Sequence, residues 1–442
     1  MTSNKPKIVI IGAGSYIFSA RLIYDILTFP ELSESTISLM DINQERLNLI
    51  TELAKKMIKD KGWGAKIEST LDRKKALEGA NYVICTIEVG GLEAYLSDIE
   101  IPDKYGINQN VGDTIGPGGV FRALRTVPVM LDICKDMEKI CPDAYLLNYT
   151  NPMAINCWAM NKATKIKNVG LCHSVQGTAR QLASYMQIPY EELSYWVAGI
   201  NHMAWFLELK WKDEDAYPIL RKVAKDKNLW ERVIGGYKEF GMKDIVRFKI
   251  MEHFGYFVTE SPYHMSEYVP YFRKSEKKVE EFGVSYRWWL NYKRSPDKYE
   301  KKMKDIIAGK EKIEMEKSDE YASYIIHSLE TGSPCRINGN VENKGLITNL
   351  PEGCCVEVPC FVDKEGIHPC FVGDLPPQCA ALNRTNINVQ ELAVKACLEK
   401  DKDAAFQAIA LDPLTSSILT LDEIKKMVDE LFEAEKKYLP DF

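Results

Sequence analysis

From Lys7 onward, short runs of branched apolar residues alternate with longer stretches whose apolar residues recur at helical spacing. That alternation predicts a parallel sheet with helices on both faces, an α/β fold. Lys7–Ile11 is unbroken in apolar character and predicts a buried strand. Phe18–Leu27 is expected to be a helix, Ile37–Met40 the second strand, and Gln44–Ile58 a helix with leucines and isoleucines at helical intervals. Tyr82–Ile87 is expected as the third strand and Tyr145–Asn148 as the fourth, with Val127–Ile140 a helix stopped by Pro142. Met153–Asn161, Val169–Cys172 and a further helix, Gln176–Met186, complete this half.

The pattern changes near residue 195. Trp205–Trp211 alternates in the manner of an antiparallel strand, and a charged, aromatic-rich helical region is expected up to about Thr331. Asn338–Leu350 and Cys355–Val362 are expected strands linked by Gly and Pro turns; the stretch from Asn388 to Phe442 is expected to be helical. No internal repeat or low-complexity linker interrupts the chain.

A chain of 442 residues is long enough for two domains or one large α/β body. Its net charge of -6 and scattered lysines give no reason to expect nucleic-acid binding. The polar start and the short Ile8–Ile11 run lack the length of a membrane span and the pattern of a cleavage site, so neither membrane nor export is expected. Twelve dispersed cysteines show no secreted-scaffold spacing, which points to a reducing cytoplasm; the adjacent Cys354 and Cys355 suggest core packing.

Two segments change this picture from generic to chemical. Gly12-Ala13-Gly14-Ser15 lies between an expected strand and helix, where glycines let the backbone approach a pyrophosphate and helix N–H groups meet its charge. Ile17 replaces the third glycine of the full fingerprint. Asp41, closing the next strand, can accept from both ribose hydroxyls and repel a 2′-phosphate, which favours NAD over NADP. The alternative is that Asp41 caps the helix near Gln44.

Cys172 and His202 each follow an apolar stretch that reads as a strand, and in parallel sheets strand ends converge on the ligand crevice. A thiolate and an imidazole suit Mn, Fe, Co, Ni or Zn, and two protein ligands leave positions for substrate oxygens. The alternative is a buried packing cysteine and a satisfied core histidine. Asp113-Thr114-Ile115-Gly116-Pro117-Gly118-Gly119 is too rich in glycine to be expected as helix or strand. Asn148-Tyr149-Thr150-Asn151-Pro152 ends a strand with amides suited to sugar hydroxyls or a nicotinamide amide. An ordinary surface turn and an Asn-Pro capping turn are the plainer readings of these two segments.

Together with Gly170–Gln176, Gly199–Met203, Gly339-Asn340-Val341 and Thr385–Gln390, these segments resemble glycoside hydrolase family 4, the NAD- and metal-dependent glycosidases, over nearly the whole chain. The resemblance implies a Rossmann-type, lactate/malate dehydrogenase-like domain over 1–195, and an α+β domain for substrate and oligomerisation over 196–442. It implies NAD held by Gly12, Ala13, Gly14, Ser15, Asp41 and Asn151, and Mn²⁺ or another divalent metal held by Cys172 and His202. A dimer or tetramer is implied as well. The tetrad Cys172-His173-Ser174-Val175 is the family's form associated with α-galactosidases, so the expected activity is hydrolysis of melibiose-type α-galactosides. Expected steps are C3 oxidation, C2 deprotonation, 1,2-elimination, water addition and re-reduction, without the flanking carboxylate pair of most glycosidases.

Tyr268 is the implied C2 base, with Tyr263 or a packing role for Tyr268 as rival readings. His173 is the implied acid, where phosphosugar members carry aspartate, and Asp113 competes for that role. Asn148 and His173 are the implied substrate-binding residues. Glu88 and Glu93 stand where phosphosugar members place an arginine, which favours a free sugar. α-Glucosidase or α-glycuronidase activity on the same machinery is the nearest alternative. A 2-hydroxy-acid dehydrogenase shares the fold but has no need of a metal thiolate, and a non-catalytic NAD-binding module gives Cys172 and His202 no task.

Overall fold

Lys7–Ile11 forms the central buried strand that its branched residues predict, and the turn after it shows why glycine is required there. Gly12 has φ +87°, and a Cβ on it would lie 2.7 Å from the carbonyl oxygen of Thr86. The structure is a computed structural model describing residues 5–226, 243–285, 298–313 and 315–442. Its parallel strands are β1 (Lys7–Ile11), β2 (Thr36–Met40), β3 (Lys66–Thr70), β4 (Tyr82–Cys85), β5 (Tyr145–Asn148) and β6 (Asn168–Leu171), in the spatial order β3-β2-β1-β4-β5-β6. This is the Rossmann-type half anticipated from the alternation of elements.

The sheet continues past β6. Its remaining strands are β7 (Leu193–Ile200), β8 (Met203–Trp211), β9 (Glu214–Asp215), β10 (Cys335–Glu342), β11 (Cys355–Asp363) and β12 (Gly366–Pro369). β10 pairs antiparallel with β6, then β11, β7, β8 and β9 follow, with β12 on β11. Twelve strands thus share one sheet, and one apolar core runs from Ile8 to Leu431. A second core, including Val175, Val197, Phe206 and Phe257, packs beneath the β7–β8 hairpin.

Several expected elements differ in extent, each for a local reason. β3 escaped notice because Lys66, Glu68 and Ser69 are exposed, leaving no apolar run at this sheet edge. β7 is the apolar strand expected before His202; it reaches back to Leu193 as the hairpin partner of β8. β4 stops at Cys85, where Thr86 turns over the glycine loop and donates to the Gly12 carbonyl at 3.0 Å. β10 ends at Glu342 because the Asn343 amide donates to Ile347 and Leu350 carbonyls, folding the expected strand into a turn. The last helical region begins earlier, at Pro377, and breaks into Pro377–Glu399, Lys402–Leu411, Pro413–Ser416 and Leu421–Glu435. The helical expectation up to Thr331 falls partly on residues 227–242, 286–297 and 314, outside the described residues. Cys354 and Cys355 are both buried with free thiols.

The largest correction concerns Gly116-Pro117-Gly118-Gly119, which begins a helix, Gly116–Ile140. Its glycines serve close packing. A Cβ on Gly118 would meet the Gly112 and Asp98 carbonyl oxygens at 2.5 and 2.8 Å. Gly118→Ala is therefore expected to cost about 1–3 kcal/mol by overpacking. Urea unfolding checks this, and a wild-type midpoint would contradict the contact.

Candidate active site

The amino end of the cleft is built from the glycine turn. Gly12 and Ala13 both donate to the Met40 carbonyl, at 2.9 and 3.0 Å, which seats the turn on the end of β2. Asp41 follows directly. One of its oxygens accepts from Gly14 N–H at 2.7 Å and the other from Asn43 N–H at 2.8 Å. The cap of the helix Gln44–Lys61 is Asn43, whose side chain accepts from Arg46 N–H. Asp41 is thus not the cap, and its carboxylate lies against the turn where a dinucleotide ribose would be met. A Cβ on Gly14 would sit 2.7 Å from that carboxylate and 3.0 Å from Arg46 Cβ, so a side chain there would have to displace Asp41 from the turn.

Three more strand ends bring the other groups together. Cys172 follows β6 directly. His202 occupies the two-residue turn joining β7 to β8, with Ile200 opposite Met203. Glu260 comes from a segment that runs beside β8, where Thr259 and Ala204 exchange backbone and hydroxyl bonds. His202 and Glu260 hold positive φ, +61° and +69°, conformations that cost energy for residues with side chains. Glu260 is pinned there from behind. Its N–H donates to Thr178 Oγ1 at 3.1 Å, and the buried Arg247 guanidinium donates to its carbonyl.

The ligand atoms of Cys172, His202 and Glu260 all lie within 4.8 Å of one another. His202 Nε2 is 3.4 Å from Cys172 Sγ and 3.9 Å from a Glu260 oxygen. Burial, reinforced by His264, pulls the His202 imidazole down to about 4, so it is neutral and has a lone pair to give. Burial and the Glu260 and Glu357 carboxylates hold the Cys172 thiol well above its usual range. A divalent cation is the kind of charge that ionises such a thiol. The donor set, one sulfur, one nitrogen and one carboxylate, fits a transition metal with open positions. Two ligands were expected; the third, Glu260, carries no motif that would have revealed it.

Tyr268 ends the short helix Pro262–Tyr268, which Ser261 caps by accepting from His264 N–H. Its ring centroid is 6.4 Å from that of His202, and its hydroxyl donates to Thr114 Oγ1 at 2.9 Å. Burial keeps this phenol protonated, well above 10. His264, unassigned from the sequence, stands between two carboxylates: Nδ1 is 3.6 Å from Glu260 and Nε2 3.8 Å from Asp113. Burial lowers it, but Asp113 and Glu260 outweigh burial and bring it up to about 9.

That pairing corrects the expectation for Asp113. Burial raises its carboxyl, yet His264 overrides this and holds it far below the carboxylate range; its other oxygen accepts from Asn151 at 2.8 Å. Asp113 therefore carries no proton to donate. His173 does. It leads into the helix Ser174–Met186, its side chain is 67% exposed, and Nδ1 lies 3.5 Å from the buried Glu320, which lifts it to about 9.

Asn148 is also corrected. It is fully buried; its carbonyl accepts from Thr150 N–H and its amide donates to Thr150 O, so it shapes the turn and faces no substrate. Asn151 presents the amide that reaches the Asp113 carboxylate. Glu93 is committed to Lys437 and the Tyr438 hydroxyl, while Glu88 stands 3.3 Å from Arg122. Each carboxylate thus has a cationic partner, so neither by itself argues against a sugar phosphate.

Residues 7–188 match the family 4 glycosyl hydrolase model, and residues 197–415 match that family's C-terminal domain. The chain belongs to glycosyl hydrolase family 4. It is 43% identical to an α-galactosidase of Bacillus subtilis (strain 168), over 99% of both chains. Among solved structures, this family 4 chain resembles a 6-phospho-α-glucosidase from gut microorganisms in complex with NAD and Mn²⁺. That likeness has a TM-score of 0.83 at 22% identity and covers 99% of this chain and 100% of the other. Malate dehydrogenase from Cryptosporidium parvum matches with a TM-score of 0.53 at 13% identity, over 90% of this chain and 100% of that one, in keeping with the expected fold. No described helix is long and apolar enough to cross a membrane.

If Glu260 is a ligand, Glu260→Ala weakens Mn²⁺ binding by at least tenfold, and Cys172→Ser weakens it further. Electron paramagnetic resonance titration of the free ion measures both. Wild-type affinity in Glu260→Ala would remove it from the set.

Proposed function

We propose that the protein is an α-galactosidase that cleaves melibiose-type α-galactosides with the help of NAD and a divalent metal such as Mn²⁺. The observation that carries this reading is the convergence of Cys172, His202 and Glu260 beside Tyr268, at the strand ends of a dinucleotide-binding sheet. The similarity to an α-galactosidase along the full chain supports the substrate class. Bound there, NAD would supply a reversible hydride acceptor, and a metal held by Cys172, His202 and Glu260 would supply a Lewis acid for the sugar's oxygens.

The chain's own residues do the rest. Gly12, Ala13, Gly14 and Ser15 cradle the pyrophosphate, Asp41 meets the ribose, and Asn151 faces the nicotinamide end. With C3 at the ketone level the C2 proton is acidic and Tyr268 would remove it as the C1–O bond breaks; addition of water at C1 and return of a proton to C2 and of the hydride to C3 then close the cycle without net NADH. The Tyr268 phenol must ionise for this, and positive charge held by the neighbouring ligand set favours that form over the neutral one that burial selects. His173, already protonated near neutral pH by its Glu320 partner, gives its proton to the departing glycosidic oxygen. Asp113 orients Asn151 and His264 as a fixed carboxylate. Residues 1–195 on this reading carry the coenzyme and 196–442 most of the sugar-facing groups. The twelve free cysteines support a reducing compartment, the cytoplasm.

The test is hydrolysis of p-nitrophenyl α-galactoside with NAD, Mn²⁺ and a reductant in deuterated water. Deuterium is expected at C2 of the released galactose, with no net NADH; retained C2 hydrogen would sink the elimination route, and stoichiometric NADH would reveal a dehydrogenase. Tyr268→Phe is expected to reduce turnover by roughly 10²–10⁴-fold while leaving Mn²⁺ affinity within twofold. Turnover near wild type would pass the base role to another group.

A further inference from the structure

Beside the site lies a cavity of about 180 Å³ that none of these steps employs, lined by Gln176, Tyr190, Tyr195, Asp319, Tyr321 and Arg336 among others. Its position follows from the topology. β10 runs antiparallel to β6 with Gly339 opposite Leu171, so the residues preceding Gly339 extend past the end of β6, alongside Cys172 and His173. Asp319 directly precedes Glu320, whose carboxylate faces His173, and Gln176 stands on the helix that His173 begins. The cavity thus shares a helix with His173 and a chain segment with Glu320.

The lining has two characters. Tyr190 and Tyr195 present aromatic rings with their hydroxyls 3.4 Å apart, and Arg180 stacks 4.2 Å from the Tyr190 ring while pairing with Asp319. Arg336 lies 5.6 Å over Tyr195. Gln176 is 5% exposed; its amide donates to the Asp319 carbonyl at 3.1 Å, and its carbonyl oxygen has no partner among the described residues. Aromatic rings, each with an arginine over one face, beside an unpartnered amide oxygen offer a pyranose both an apolar surface and hydrogen-bonding groups. The volume lies below the roughly 300–1,000 Å³ of drug-sized ligand sites, which leaves space for one sugar ring.

We propose that this cavity is the subsite for the leaving sugar, a single neutral hexopyranose held against Tyr190 and Tyr195. The proposal rests on the α-galactosidase reading for the identity of that sugar, and on the cavity alone for the presence of a sugar site. Asp319 and Tyr321, which line the cavity, flank Glu320, the residue that faces His173.

Two measurements test it. In Tyr195→Ala and Tyr190→Ala, kcat/KM for melibiose is expected to fall at least tenfold more than kcat/KM for methyl α-galactoside, which has no second ring. Equal losses on both substrates would overturn the subsite. Saturation-transfer NMR with free glucose reads binding without hydrolysis: contact is expected in the wild type, lost in Tyr195→Ala and restored in Tyr195→Phe, which keeps the ring packed on Phe206. Absence of glucose contact in the wild type, or contact unchanged in Tyr195→Ala, would overturn the proposal. Contact that depends on Tyr195 in a protein inactive on galactosides would keep the sugar site and remove the galactosidase reading.

Discussion

One carboxylate joins the two halves of the site. Glu267, buried in the helix that ends in Tyr268, accepts N–H bonds from Asn110, Val111 and Gly112 at 2.5, 3.0 and 3.1 Å. Those residues open the loop that delivers Asp113 and Thr114. Charge-assisted bonds of this kind are among the stronger polar contacts a fold contains, and here they lock a loop from the coenzyme half to a helix from the other. Arg273 adds a second tie, donating to Asn108 O and to Val284 O. The distances from Tyr268 to Thr114, and from His264 to Asp113, depend on this latch.

Given the latch, backbone conformation places the ligands. The β7–β8 turn puts His202 at its second position with positive φ, a place ordinarily filled by glycine or asparagine. Glu260 adopts the same conformation and is fastened by Thr178 and Arg247. Two strained residues within one candidate ligand set indicate that surrounding structure over-determines their positions, which is how a site stays assembled before anything binds.

Much of the fold was legible because buried parallel strands announce themselves: Lys7–Ile11 and Tyr145–Asn148 have the expected bounds. What failed to show was exposed or tertiary. β3 is an edge strand with polar residues, and the glycine-rich start of Gly116–Ile140 looks like a loop until Gly112 and Asp98 are seen against it. In the site, Cys172, His202 and Tyr268 could be singled out because each stands in a distinctive short segment. Glu260 and Glu320 could not, because each is one acid among many until the chain brings a histidine to it. Asn148 misled for the opposite reason: its amide suits a sugar, but the turn uses both ends of it.

The acids around the ligand set are sorted by their neighbours. Glu260 and Asp113 are held in the charged form because histidines outweigh their burial. Glu357, fully buried on β11 with neither oxygen hydrogen-bonded among the described residues, is pushed the other way by burial and by Glu260. A neutral Glu357 spares the site a further negative charge in a region where low dielectric magnifies each one. The remaining imbalance falls on Cys172, whose thiol is pressed toward its neutral form by those same carboxylates. A divalent cation held by sulfur, imidazole and carboxylate would reverse that pressure, and its charge would also favour the phenolate of Tyr268, whose ring lies 6.4 Å from that of His202. On the proposed mechanism, binding the cation and readying the base would then be one electrostatic event.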